Sequence, residues 1–535
     1  PGGYRLVDGA HMKEGFRQAM AWLHTWAGLI FGWLLFAIFL TGTLAYFKDE
    51  ISHWMQPEVQ AHPLDDARSL SVAYDYLQQA APTAARWFIT LPDSRDPGLS
   101  VMWQDKLNPG QRGNFTRKTL DAVSGQAVNA RESMGGEFFY RFHFQLQMPY
   151  PWGRWLSTAA AMMMFVALIT GIITHKKIFK DFFTFRPRKG QRSWLDGHNA
   201  VGVLVLPFHL MITYSSLVIF MSMVMPAPIL ASYGNDTRAF FNEIFPATDN
   251  APASGQPGKL APLLPMYEQA RAHWDGGHVG RIGVNNPGDV NASVNVFRAG
   301  SDSVVHALDS VVSFNGHTGE LLRASGGPSL AATVGGSFYG LHMGHFAGPV
   351  LRWLYFICGL AGTAMIGTGL VIWLGKRQLK HANAGVMPFE LRLVQVLNMA
   401  SMSGLLIAIA AFFCANRMLP ADLAERSDWE VRSFFIAWGL SLLHAIARRG
   451  RRGWVEQLSV GALLFVAVPL LNAITTDFSL GGSLARGDWA MAGFDLTCLA
   501  SGVFLAWAAW KMQRRVASQP KAERARRLML KPEAH

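Results

Sequence analysis

The chain has 535 residues, 50% of them hydrophobic and only 16% charged, with 18 Trp and 35 Phe; with its long apolar runs this argues against an ordinary soluble domain and for a polytopic membrane protein. The net charge of +12 does not point to nucleic acid, because Lys and Arg cluster just beyond apolar runs, in the positive-inside pattern. Cys358, Cys414 and Cys498 lie within or at the end of apolar spans with no CxxC pair, so disulfide and thiol redox chemistry are not expected.

Span one runs from about Trp22 to Phe47, behind Lys13 and Arg17, and reads as a signal anchor with a cytoplasmic N-terminus. The following stretch is polar, with short alternating runs at Arg86–Leu91 and Leu99–Trp103, which reads as a small α+β domain outside the membrane. Span two, about Trp155–Thr174, exits into the basic segment Lys176–Arg192, where seven Lys/Arg face one Asp. Span three is Trp194–Phe220, and a second outer domain follows at about Pro226–Ser337, with strand-like Ser293–Arg298 and Val304–Leu308. Span four, Leu351–Leu374, stops at Lys376, Arg377 and Lys380. Four more spans are predicted at about Leu391–Phe413, Val431–Ala447, Leu458–Thr475 and Trp489–Trp510.

The fold class is therefore a polytopic α-helical membrane protein of about eight transmembrane helices with two outer α+β domains. Residues 1–47 form the N-terminus and first span, 48–150 the first outer domain, and 151–225 spans two and three with their basic loop. Residues 226–345 form the second outer domain, 346–380 span four, 381–515 a four-helix extension and 516–535 a basic cytoplasmic tail.

An internal two-fold repeat covers the first four helices. His24-x3-Gly28 matches His198-x3-Gly202, and seventeen residues after each histidine stand Thr41-Gly42 and Ser215-Ser216. Tyr140–His143 (YRFH) matches Tyr339–His342 (YGLH), each followed by Arg-Trp, and the next spans share Thr170-Gly171 and Thr368-Gly369. Thr119–Val128 and Ser313–Leu322 match as strand, turn and strand.

Span three carries His198 and His209, eleven residues apart. On a straight helix that spacing places both within about 20° of one face and about 16 Å apart along the axis. Ionisable residues inside a membrane helix signal function, and two on one face suit two stacked metal centres. Six histidines map onto two levels: His24, His175 and His198 at the inner leaflet, and His143, His209 and His342 at the outer. Bis-histidine ligation suits a low-spin haem b that passes electrons, with the haem irons as the metals held. Arg141 and Arg352 flank the outer level and Arg17, Lys176 and Arg192 the inner, as partners for haem propionates or as interfacial anchors. Which histidines pair stays open at this stage. His345 could stand in for His342, His444 reads as structural, and His273, His278, His306 and His317 lack metal-ligand spacing. No P-loop, GxGxxG fingerprint or HExxH is present.

The stretches WLHTWAGLIFGWLLFAIFLTG, GIITHKKIFKDFFTFRP, WLDGHNAVGVLVLPFHLMITYS and LRWLYFICGLAGTAMIGTGLVIW resemble the PepSY-associated transmembrane proteins, over residues 15–380. The resemblance implies a bacterial inner-membrane protein, with both termini cytoplasmic and two PepSY-like α+β domains in the periplasm. Within that family the chain is similar to di-haem siderophore-iron reductases of the ferrioxamine type. This implies a haem-dependent oxidoreductase that reduces Fe(III) in periplasmic ferric siderophores to Fe(II), for iron uptake. It also implies two haems b on His24, His143, His175, His198, His209 and His342, with quinol or a cytoplasmic reductase as electron donor. No residue is assigned a catalytic role. A non-catalytic PepSY module binding peptides or partner proteins, and a metal or siderophore permease, are the competing readings.

Overall fold

The computed structural model describes residues 9–105, 115–175, 186, 189–234, 236, 239–240, 251–306, 310–324, 330–381 and 386–529, with side chains described between 15 and 514. The chain divides into two compact units: Pro1–Met55, Glu132–Leu210 and Phe356–His535 form one, and Gln56–Arg131 with Met211–Tyr355 the other. Most of the basic segment Lys176–Arg192, including Lys176, lies outside the described residues, as do the side chains of the C-terminal tail.

In the helical unit, α1 (Gly9–Ala45) leads into the short α2 (Lys48–Met55). After the first strands of the other unit come α4 (Glu137–Gln145), α5 (Trp152–Thr174) and α6 (Gln191–Leu204), then α7 (Leu206–Ile219), which from Met211 on belongs to the other unit. Further on are α10 (Pro349–Lys380), α11 (Phe389–Met418), α12 (Arg426–Ala447), α13 (Arg451–Thr475) and α14 (Trp489–Met529).

Among the described residues six helices are long and apolar enough to cross a membrane, or seven if the bent pair α6–α7 is one span. The expected span Val431–Ala447 lies inside α12, whose first two turns carry Arg426, Asp428, Glu430 and Arg432, and is not among these.

A correction concerns span three, which is not straight. It bends by 68° at Val205, between α6 and α7. Pro207 supplies the cause, since it has no N–H for the Val203 carbonyl and its ring clashes there. The shared-face argument for His198 and His209 does not carry across this break. Arms of seven and four residues meeting at that angle bring the two Cα atoms to about 14 Å, less than the straight-helix rise.

The second unit is built on an antiparallel sheet. Its elements are α3 (Asp66–Ala80), β1 (Arg86–Thr90), β2 (Leu99–Gln104), β3 (Phe115–Leu120), α8 (Leu263–His273), β4 (Val279–Asn285), β5 (Ser293–Arg298), β6 (Val311–Asn315), β7 (Leu321–Ala324) and α9 (Leu330–Met343). Of the expected strand Val304–Leu308, residues 304–306 are not a strand and 307–308 lie outside the described residues.

Both outer segments of the sequence contribute to one seven-stranded sheet, in the order β3-β2-β1-β4-β5-β6-β7. The first strands of the two copies, β1 and β4, pair antiparallel with Phe88 opposite Gly283. The repeat thus closes on itself like a two-fold. Alternate residues Trp87, Ile89, Leu99, Val101, Val294, Val296, Val312 and Phe314 point to one face, where Leu70, Ala73 and Leu77 of α3 and Met266 and Ala270 of α8 bury them.

Equivalent turns close the two copies. The Asp121 carboxylate accepts the N–H groups of Val123 and Ser124, and Asn315 accepts those of His317 and Thr318. Each turn then passes through a glycine at positive φ, Gly125 at 74° and Gly319 at 77°.

The extension is bonded to the helical unit by buried polar groups. Glu430, fully buried, accepts from Arg426 at 2.6 Å, Asn416 at 2.6 Å and Ser133 at 2.9 Å. Asp495 accepts from Trp54 Nε1 at 2.9 Å and Asn472 at 3.1 Å, and Arg417 donates to the Trp54 carbonyl. Removing one partner leaves a buried uncompensated charge. Glu430→Ala should therefore lower stability by about 3–5 kcal/mol in detergent unfolding, and a loss under 1 kcal/mol would refute the network's weight.

Asp121 offers a pH test. The backbone N–H of Ser124 is the main cause holding its carboxyl down at about 2, from 3.8 when unfolded, with help from the Ser124 hydroxyl and from His62 at 2.7 Å. Its stabilisation is complete above 3.8 and fades as pH falls through about 2. Asp121→Asn should flatten melting temperature against pH across that window relative to the unsubstituted chain.

Candidate cofactor site

Three histidines share one local arrangement, supplied by both copies of the repeat. His24 on α1 donates its Nδ1–H to the Ala167 carbonyl of α5 at 2.8 Å, and Thr170-Gly171 follow three and four residues later. His198 on α6 does the same to the Met365 carbonyl of α10 at 2.9 Å, with Thr368-Gly369 at the same offsets. His143 on α4 donates to the Ile38 carbonyl of α1 at 2.8 Å, before Thr41-Gly42.

The Thr-Gly pairs of the sequence repeat thus acquire a physical role. The carbonyl and glycine lie one turn apart on the same helix face, so the glycine clears space for the ring the carbonyl holds. A Cβ on Gly171 would come within 3.2 Å of His24 Cε1, and one on Gly369 within 3.3 Å of His198 Cε1. In the second unit Ser216 stands where the glycine would be, and His342 pairs instead with the Ser215 hydroxyl at 2.9 Å.

A carbonyl can only accept, so Nδ1 of His24 and His198 carries the proton and Nε2 keeps its lone pair. Their rings are 6.4 Å apart, at 73°. Rings this close could share one metal ion, each nitrogen at about 2.0–2.1 Å from it.

These two rings and His175 line one cavity of about 670 Å³, within the roughly 300–1,000 Å³ of cofactor pockets. Its walls include Trp22, Trp26 and Trp373, with Lys376, Arg377 and Lys380 also lining it. The Trp373 indole N–H is buried there without a hydrogen-bond partner among the described residues, and the Arg377 guanidinium lies 3.7 Å from the Trp373 ring centre. The chemistry fits a haem: opposed neutral imidazoles for the iron, aromatic and aliphatic walls for the macrocycle, and cations with an orphan donor for carboxylates.

The sequence reading used Lys376, Arg377 and Lys380 only as the stop of span four. Helical spacing from Gly369 through Trp373 to Lys376, Arg377 and Lys380 is the signal that places them with His198. Of the cations it did name, Arg141 pairs with Glu137 at 3.2 Å, Arg352 donates to the Ala347 carbonyl at 2.9 Å and Arg192 is exposed.

His209 is fully buried, stands T-shaped to Phe39 at 6.0 Å, and among the described residues has neither ring nitrogen in hydrogen-bond geometry. The Cys358 backbone approaches it without reaching that geometry. Gly362 makes room for this ring. A buried imidazole in this state is costly unless a ligand completes it. His143 and His209 both contact α1 within residues 38–42, while His342 belongs to the second unit. His444, outside the repeat, bonds Glu456 at 2.9 Å.

Fold and site together define a multi-pass membrane protein whose repeated helices hold paired, tethered histidines. The chain belongs to the PepSY-associated TM region family, whose model matches residues 21–376. No curated protein matches it. The match ends at Lys376, so the extension α11–α14 lies beyond it.

The glycine role can be tested directly. Gly369→Val overpacks the His198 ring and should cost about 1–3 kcal/mol in detergent unfolding. The same change at Gly439, with open space around it, should be nearly neutral.

Proposed function

We propose that this protein is a bacterial inner-membrane electron conduit that reduces ferric siderophores on the periplasmic side, converting Fe(III) to Fe(II) for release. The observation that carries this reading is the opposed pair His24 and His198, each locked through Nδ1 with Nε2 left to ligate. These two residues would hold one haem b, and Trp373, Lys376, Arg377 and Lys380 would receive its propionates. His143 and His209 would supply ligands for a second. Haem b held by two imidazoles supplies one-electron transfer.

The residues' own contributions follow from their tethers. The hydrogen bonds to Ala167 and Met365 fix ring orientation and raise the basicity of Nε2. Two histidine ligands would leave the iron no place for an exchangeable ligand, which suits electron passage over oxygen chemistry. Helix ends rich in Lys and Arg support a cytoplasmic placement of the His24–His198 level, and a quinol or a cytoplasmic reductase is the donor class that fits it.

The test is a dithionite-reduced minus oxidised spectrum with pyridine-haemochrome quantification. About two haems b per chain are expected, reoxidised by ferric siderophores. His24→Ala, His198→Ala and the double variant should each lose the same single haem. A double variant that loses two would separate the pair, and haem-free protein from haem-replete cells would overturn the conduit.

A further inference from the structure

We infer that the sheet face turned away from α3 and α8 is the docking surface for the ferric chelate, and that the chelate it fits is anionic and aromatic, of the tricatecholate class. The surface is read from the second unit alone; calling its ligand the substrate rests on the proposed function.

Alternation along each strand sends one set of side chains to α3 and α8 and the other set to the opposite face. None of the seven strands contains an Asp or Glu, whereas β1, β3 and β4 place Arg86, Arg117 and Arg281 on that opposite face. The register gathers the three around Phe88. Arg86 stands two residues before it on β1, and Arg117 lies in the same cross-strand row, through Met102. Arg281 stands two residues before Gly283, the β4 partner of Phe88. All three arginines are exposed, and none enters an ion pair among the described residues.

Aromatic rings are interleaved with these cations. The Arg281 guanidinium lies 5.2 Å from the Phe88 ring centre and 4.7 Å from that of Phe297. Phe115, 49% exposed, packs on Phe88 at 6.2 Å. Gly283 lies between the inner rings: a Cβ there would stand 3.5 Å from Phe297 and 3.6 Å from Phe88, so both lean over the strand. The result is a shelf of π faces and positive charge whose strands supply no acid to neutralise it.

A catecholate ligand is the complement of that shelf. Its paired oxygens carry negative charge and accept from guanidinium N–H groups, while its flat ring stacks on aromatic and guanidinium planes. A ferric trihydroxamate is uncharged and has no ring at its donor groups. An anionic lipid headgroup has charge without a ring. Neither makes use of Phe88, Phe115 and Phe297 beside the arginines.

Calorimetry on the detergent-purified, haem-loaded full chain tests this, with a hexadentate ferric tricatecholate against an uncharged hexadentate ferric trihydroxamate. The tricatecholate should bind about tenfold tighter, and its affinity should fall as KCl is raised. The triple variant Arg86→Gln, Arg117→Gln, Arg281→Gln should lose that preference, while Arg281→Lys, which keeps the charge, should retain it. These positions are exposed, and an unchanged melting temperature reports the fold. Equal affinity for the two chelates, or a preference that survives the triple variant, overturns the surface. So does a triple variant whose only loss is of binding to phosphatidylglycerol vesicles, which would make the face a lipid contact. Preferential binding of a tricatecholate that the reduced, haem-loaded chain fails to reduce would sink the reductase reading and leave the docking surface standing.

Discussion

The hydrogen bond from an imidazole Nδ1 to a backbone carbonyl of a neighbouring helix organises the membrane half of this protein. It needs a carbonyl whose helix partner is already satisfied, a glycine one turn on to clear the ring, and a helix close enough to present both. His24, His143 and His198 meet all three conditions. The Thr between carbonyl and glycine donates to the same carbonyl, 3.2 Å at Thr170 and Thr41 and 2.9 Å at Thr368. Each tether also fixes the tautomer, so packing and ligand chemistry are decided by one contact.

The repeat gives that contact its multiplicity. One helix pair places one tethered histidine over a cavity, and its duplicate places a second opposite, so His24 and His198 face each other as equivalent residues. The same doubling shapes the sheet, where β1 pairs with its counterpart β4 and the turns at Asp121 and Asn315 repeat in detail. A first strand with an unpaired edge is a liability, and pairing it with its own copy removes that edge from both.

The extension follows a different logic. Its contacts with the rest of the helical unit include buried carboxylates, Glu430 with Ser133 and Asp495 with Trp54, each braced from within the extension by Asn416 and Asn472. Polar groups so buried tolerate few alternative arrangements, which fixes the docking of α11–α14 on α2 more narrowly than apolar packing alone. The turn Ala400–Gly404 of α11 is a π-helix, and its Ala400 carbonyl accepts from Trp438 Nε1 of α12 at 2.8 Å. The widened turn admits a side-chain bond in place of a regular helix contact.

Much of this was written in the sequence. Apolar runs gave the membrane class and most spans, since hydrocarbon thickness sets a length that composition reveals. The repeat was legible because His24 and His198, the Thr-Gly pairs and the strand-turn-strand segments recur at fixed offsets, and the family follows from the same residues. Tertiary structure decided what one-dimensional spacing cannot carry. Pro207 bends span three, so a straight-helix estimate of His198 and His209 misplaced them. The joining of both outer segments in one sheet, the use of Lys376, Arg377 and Lys380 as cavity wall, and the gathering of Arg86, Arg117 and Arg281 around Phe88 all depend on residues far apart in the chain. Periodicity reports which face a residue occupies on its own element; only packing says what that face meets.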